Sequence, residues 1–139
     1  MNGQLRSNSS SRRSAARVDD LFGLGISVLL FGYFGFFTSW ADNAPAMAHL
    51  FKWTLRLSAI GFAIAALLLA IGRREGNLVA GVVGLLGSAA FLVVLILDVL
   101  DDQWSVGLHP VILLAFALWN AWVSVGSIRA WRADARIGP

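Results

Sequence analysis

Four apolar stretches dominate the pattern of hydrophobic and polar positions along this chain. They cover residues 21–40, 53–72, 78–97 and 111–128, and the only charge inside them is Arg56, in the first turn of the second. Twenty helical residues rising ~1.5 Å each span ~30 Å, which is the thickness of the hydrocarbon region of a bilayer. The pattern therefore predicts four transmembrane helices.

The polar segments between the apolar stretches are short, and none is long enough to form a soluble domain. Helices joined by short connections pack best against their sequence neighbours, so we predict an all-α protein, a compact antiparallel bundle of four transmembrane helices. This single domain covers residues 21–131. Residues 1–20 are rich in serine and arginine and are predicted to be a disordered basic tail, and residues 132–139 a second short tail.

The distribution of basic residues predicts the orientation of the bundle. Nine of the eleven lie on one side of the four spans, either in the first tail, between the second and third spans, or after the fourth span. These nine are Arg6, Arg12, Arg13, Arg17, Arg73, Arg74, Arg129, Arg132 and Arg136. The other two, Lys52 and Arg56, lie on the opposite side. Because loops rich in arginine and lysine remain in the cytoplasm, both termini are predicted to be cytoplasmic. The chain then belongs to a cell membrane of the bacterial inner-membrane type and crosses it four times.

Composition agrees with a membrane protein. Hydrophobic residues make up 58% of the chain and charged residues only 14%, against ~25% in soluble domains. The arginines flank apolar runs, so the expected partners of this basic chain are anionic lipid headgroups and not nucleic acid. The absence of cysteine excludes disulfides and thiolate metal sites.

The first span has an alternative interpretation as a cleavable signal. The pair Arg12–Arg13 precedes it and the small residues Ala44, Ala46 and Ala48 follow it. A signal has an apolar core of ~7–15 residues, whereas this span has twenty. We therefore expect it to remain as a transmembrane helix.

Small residues recur at helix-packing spacing on three of the spans. Lipid tails are as apolar as leucine, so membrane helices associate through close packing of small residues and through polar contacts. We predict a helix-packing seam made of Gly25, Gly32, Gly35, Ala59, Ala63, Ala66, Ala70, Gly81 and Gly84.

Three polar residues are predicted near the middle of the membrane. Asn120 lies ~13 Å from the outer boundary and Ser88 ~15 Å from the inner one, and Tyr33 is slightly nearer the outside. They are expected to form contacts that fix the register of the helices, each worth ~0.6 kcal/mol on average. The alternative is a polar lining for the path of a substrate or ion.

Arg56 and Asp98 are predicted to form an ion pair at the outer end of the bundle. They belong to the small-residue faces of the second and third spans, and their depths differ by only ~4.5 Å. An ionisable group in this position needs a partner. The alternative is that both side chains reach headgroups and water.

Two further clusters are candidates for a cofactor site. The first is a cluster of three carboxylates on one helix face, Asp98, Asp101 and Asp102, which could supply oxygen ligands to a cation. The second is a pair of histidines on the same side of the membrane, His49 and His109, which could bind a metal or a haem iron. All five also suit an interfacial or solvated position, so we expect no cofactor.

Two functional hypotheses follow. The first is a protein that acts through protein–protein contacts, as an accessory or assembly subunit of a membrane complex or as a homo-oligomer, with Trp119 and Trp122 at the interface. The second is a small transporter or channel, with Tyr33, Ser88 and Asn120 at its constriction and an acidic outer mouth. No catalytic set or phosphate-binding loop is present, so we do not expect an enzyme.

Overall fold

The computed structural model describes residues 19–37, 46–100 and 110–136, with the backbone alone at 46–48, 98 and 110. These residues form helix α1 (Asp19–Phe37), α2 (Ala46–Ala70), α3 (Glu75–Leu100) and α4 (Pro110–Arg136), and no strand occurs among them. All four helices are long and apolar enough to cross a membrane. The predicted all-helical chain with four apolar spans is thus confirmed, and it has the character of a multi-pass membrane protein.

Parts of the predicted organisation lie outside the described residues. They include residues 1–18 of the first tail, the connections at 38–45 and 101–109, and residues 137–139.

The helices extend beyond the predicted apolar stretches. Helix α2 begins at Ala46, so His49 and Lys52 lie in the helix and not in a connecting loop. Helix α3 continues to Leu100 and α4 to Arg136. A helix satisfies its own backbone N–H and C=O groups in headgroups and water as well as in hydrocarbon, so it ends where a breaker interrupts it and not where the apolar stretch ends.

Gly72 ends helix α2. Its φ of +84° is in the left-handed region that glycine adopts without strain. The N–H of Arg73 donates to the carbonyl of Leu68 at 2.8 Å, and that of Gly72 donates to Leu69 at 3.0 Å. These two bonds form a Schellman cap. The connection between α2 and α3 is therefore tight, and Gly76 and Asn77 already belong to α3.

Phenylalanines from all four helices fill the centre of the protein. The most buried are Phe31 of α1, Phe51 and Phe62 of α2, Phe91 of α3 and Phe116 of α4. The Phe31 ring lies 5.6–5.9 Å from those of Phe62, Phe91 and Phe116, within the range of favourable aromatic pairs. We call these five residues the phenylalanine cluster. Their packing at the centre determines which face of each helix points inward.

Candidate functional site

Two glycines of α3, Gly81 and Gly84, let this helix lie close to α4. A Cβ atom added at Gly81 would lie 2.6 Å from Ile128 Cγ1, and one added at Gly84 would lie 2.7 Å from the backbone oxygen of Asn120. The Ser124 hydroxyl donates to the carbonyl of Gly81 at 2.6 Å. Both glycines of the predicted seam on α3 are therefore at a helix–helix contact.

Ser88 and Asn120 lie at this same contact, but each donates to a backbone carbonyl of α4. The Ser88 hydroxyl donates to Ala117 at 2.9 Å, and the Asn120 Nδ2 donates to Phe116, one turn earlier in its own helix, at 2.9 Å. Asn120 is fully buried. Tyr33, the third predicted midplane residue, is 60% exposed on the outer surface of α1 and lies apart from these two.

The side-chain oxygen of Asn120 is buried and has no hydrogen-bond partner. Its nearest surroundings include Gly87, where an added Cβ would lie 2.9 Å from Asn120 Oδ1 and 3.0 Å from the Ser58 hydroxyl. Glycine at this position leaves a Cα–H facing the amide oxygen, and such a contact is a weak substitute for a hydrogen bond. Residue spacing gives no signal for this meeting of Gly87, Asn120 and Ser58 on three different helices.

On α1 and α2 the inward faces differ from the predicted seam. The buried positions of α1 are Leu24, Ser27, Phe31 and Gly35, and those of α2 include Leu55, Ala59, Phe62 and Ala65. Gly35 is close to α2, but a Cβ added at Gly25 or Gly32 would meet no atom within 4 Å. Ala63 and Ala70 are exposed and Ala66 is half-buried.

The physical reason is the phenylalanine cluster. Bringing Phe31 and Phe62 to the centre rotates each helix so that the neighbouring stripe of small residues turns away from it. The small residues of α1 and α2 are thus divided: Gly35 and Ala59 are buried, Gly25, Gly32 and Ala66 are half-buried, and Ala63 and Ala70 are exposed. The single packing seam on these two helices stays a prediction.

Three of these small residues border an open groove between α1 and α2. The groove has a volume of 440 Å³. The small residues along it are Gly32, Ala59 and Ala63, and the larger ones are Val28, Leu29, Tyr33, Phe36, Phe37 and Ile60. We call it the α1–α2 groove.

Arg56 lies at one end of the α1–α2 groove. Its Nε donates to the carbonyl of Gly35 at 2.8 Å, and its guanidinium lies 5.3 Å from the ring of Phe36 and 5.1 Å from that of Trp53. The carbonyl belongs to the π-helical last turn of α1, Tyr33–Phe37. The side chain of Asp98, the predicted partner of Arg56, lies outside the described residues, so that ion pair stays a prediction.

The two tryptophans of α4 have different environments. The indole Nε1 of Trp119 donates to the Ser27 hydroxyl at 3.0 Å, and that hydroxyl donates to the carbonyl of Gly23 at 3.0 Å. This relay attaches α4 to α1. Trp122 is 79% exposed, which leaves it available for an intermolecular contact.

The candidate cofactor ligands are mostly outside the described residues. His109, Asp101, Asp102 and the side chain of Asp98 are among them, and His49 lies near the start of α2. Among the described residues there is no group of three or more potential metal ligands. The cofactor prediction stays untested.

Comparisons of the chain with models of protein families, with curated proteins and with solved structures found no match.

Proposed function

We propose that this protein is an inner-membrane subunit that acts through helix–helix contacts with another subunit, which is either a different membrane protein or a second copy. The observation that carries the proposal is the α1–α2 groove, an open surface with the same small-residue chemistry that the described structure uses at the α3–α4 contact.

We further propose that the four helices form an antiparallel bundle. Support comes from the order of contacts: along α2 from Phe51 to Leu69, the contacting positions on α3 run backwards from Phe91 to Gly76. With both termini cytoplasmic, the arginines of the α2–α3 turn and of the end of α4 share the cytoplasmic side.

The composition of the groove favours a helix over lipid as its occupant. Lipid tails conform to large side chains as readily as to small ones, whereas a second backbone approaches closely only over small residues. Gly32, Ala59 and Ala63 provide that surface. Tyr33 adds a hydroxyl within the apolar span, and a lipid tail offers this group no hydrogen-bond partner.

The test is a pair of glycine substitutions with matched chemistry. Gly32→Leu fills the groove, and Gly25→Leu adds the same side chain on the same helix outside it; neither Cβ meets an atom within 4 Å. A photoreactive phenylalanine analogue at Phe37 reports the occupant in native membranes. We expect a protein adduct that persists with Gly25→Leu and is lost with Gly32→Leu.

The masses of the adducts separate the outcomes. An adduct of twice the chain's mass identifies a second copy, and another mass identifies a different subunit. Lipid adducts alone, together with a monomer in native mass spectrometry, would overturn the proposal.

Transport is the second candidate function, because the buried oxygen of Asn120 has no partner. The phenylalanine cluster opposes a path along the axis of the bundle, since five large rings occupy its centre. Asn120→Leu tests this candidate: a variant that remains folded and assembled but loses flux in liposomes would favour transport over a subunit role.

A further inference from the structure

A second cleft lies between α1 and α4 and differs in chemistry from the α1–α2 groove. It has a volume of 180 Å³ and is bordered by carboxylates, indoles and a hydroxyl, from Asp19, Asp20, Trp119, Trp122 and Ser127. Gly23 and Gly126 also border it, and an added Cβ at either would meet no atom within 4 Å. The cleft exists because these two positions have no side chain.

We propose that this cleft binds a primary organic ammonium group, such as the ethanolammonium of a lipid headgroup or of a free amine. The two aspartates supply negative charge at the mouth, where both are exposed. Indole faces attract cations through their quadrupole, and the carboxylates attract the same cation through opposite charge.

Ser127 supplies an independent indication of a ligand. It is nine-tenths buried and borders the cleft, yet its hydroxyl makes no hydrogen bond to another described residue. Ser127 Oγ is not one of the fully buried, unpaired oxygens of the described residues, so this hydroxyl keeps access to the cleft and can accept from a ligand there. A primary ammonium carries N–H donors for this hydroxyl and for the carboxylates, whereas a quaternary ammonium carries none.

The indole of Trp119 is fixed before any ligand arrives. Its Nε1 donates to Ser27, which in turn donates to the carbonyl of Gly23. The N–H is thereby occupied, and the ring remains as the part that a cation contacts. Such a preorganised ring loses little entropy on binding.

The size of the cleft excludes a drug-sized molecule, and the type of its lining residues excludes a metal ion. A volume of 180 Å³ is several times the ~30 Å³ share of one water but below the ~300 Å³ of sites for drug-sized molecules, so a headgroup fits and a large molecule does not. Indoles are not metal ligands, and the described residues include no group of three potential ligands for a metal ion. The inference does not depend on the α1–α2 groove.

The direct experiment measures binding of ethanolamine at neutral pH to the full-length protein in a maltoside detergent, by saturation-transfer NMR of the ligand's methylene protons. Sodium chloride at equal ionic strength is the salt control, and tetramethylammonium is the comparison ligand. We expect ethanolamine to bind more tightly than tetramethylammonium. Equal or tighter binding of tetramethylammonium would overturn the assignment to a primary ammonium.

Variants locate the site. Gly126→Leu fills the cleft and is expected to abolish binding, whereas Gly25→Leu is expected to leave it unchanged. Trp122→Leu is expected to weaken it by about 2- to 30-fold, the range of one cation–π contact. Circular dichroism melts confirm that each variant is folded. Binding that is absent in the unsubstituted protein, or is unaltered by Gly126→Leu, would overturn the proposal.

Native mass spectrometry identifies the physiological source. The protein is extracted from vesicles of phosphatidylethanolamine and phosphatidylglycerol, with and without added ethanolamine. Retained phosphatidylethanolamine that Gly126→Leu removes supports a lipid headgroup. Binding of ethanolamine without retained lipid supports a free amine.

Discussion

Gly84→Ala tests whether close backbone approach holds α3 against α4. The added methyl carbon would lie 2.7 Å from the carbonyl oxygen of Asn120 and 2.9 Å from Ser124 Cβ. The first distance is about 0.7 Å short of ordinary van der Waals contact at 3.4 Å. Because the nearest atom is a backbone oxygen inside a helix, rotation of a side chain cannot relieve the overlap, and α3 must move away from α4.

The magnitude follows from three contributions. Overpacking of this kind costs ~1–3 kcal/mol. Separation of the helices also weakens the bonds from Ser124 to Gly81 and from Ser88 to Ala117, at ~0.6 kcal/mol each on average. The better helix propensity of alanine offsets up to ~1 kcal/mol. We expect a net loss of about 1–3 kcal/mol in the free energy of unfolding.

The control makes the same chemical change where no contact exists. An added Cβ at Gly25 would meet no atom within 4 Å, so Gly25→Ala retains only the propensity term and is expected to be neutral or stabilising by up to ~1 kcal/mol. Both variants are unfolded reversibly by dodecyl sulfate in mixed micelles and followed by far-UV circular dichroism. Equal unfolding free energies for the two variants would refute the argument that glycine at position 84 is required by packing.

Three further substitutions examine the rest of the bundle by the same unfolding measurement. Ser124→Ala removes the 2.6 Å bond to the Gly81 carbonyl and should cost ~0.6 kcal/mol, at most ~2; an unchanged stability would mean that the bond contributes nothing. Phe91→Ala leaves a cavity in the phenylalanine cluster and should cost ~3–5 kcal/mol, whereas a loss below 1 kcal/mol would show that the centre collapses readily. Arg56→Lys removes the Nε donor to Gly35 and the planar group beside Phe36, and should cost ~1 kcal/mol; a lysine variant of full stability would contradict the described role of the guanidinium.

The sequence by itself predicted the number and approximate position of the helices. Twenty-residue apolar stretches have few alternatives, because only a helix satisfies its own backbone groups across the full thickness of a bilayer. It also indicated the face of α3 that contacts α4, since Gly81 and Gly84 recur there at helix-packing spacing.

On α1 and α2 the same reasoning named both buried residues, such as Gly35 and Ala59, and exposed ones, such as Ala63. A soluble helix shows its buried face by an amphipathic pattern, but these helices are apolar on all sides and carry no such signal. Helix α1 has two adjacent stripes that could each face inward. One contains the small residues Gly25 and Gly32, and the other the larger residues Leu24 and Phe31. Residue spacing alone ranks them equally.

Only the tertiary structure decided between these stripes. Phenylalanines on four helices fill one central volume together, and the inward rotation of each helix depends on rings contributed by the other three. Gly32 and Ala63, which are not in this centre, border the α1–α2 groove. Membrane character is thus determined locally by apolar length, whereas the faces available for contact are determined collectively by how the largest side chains pack.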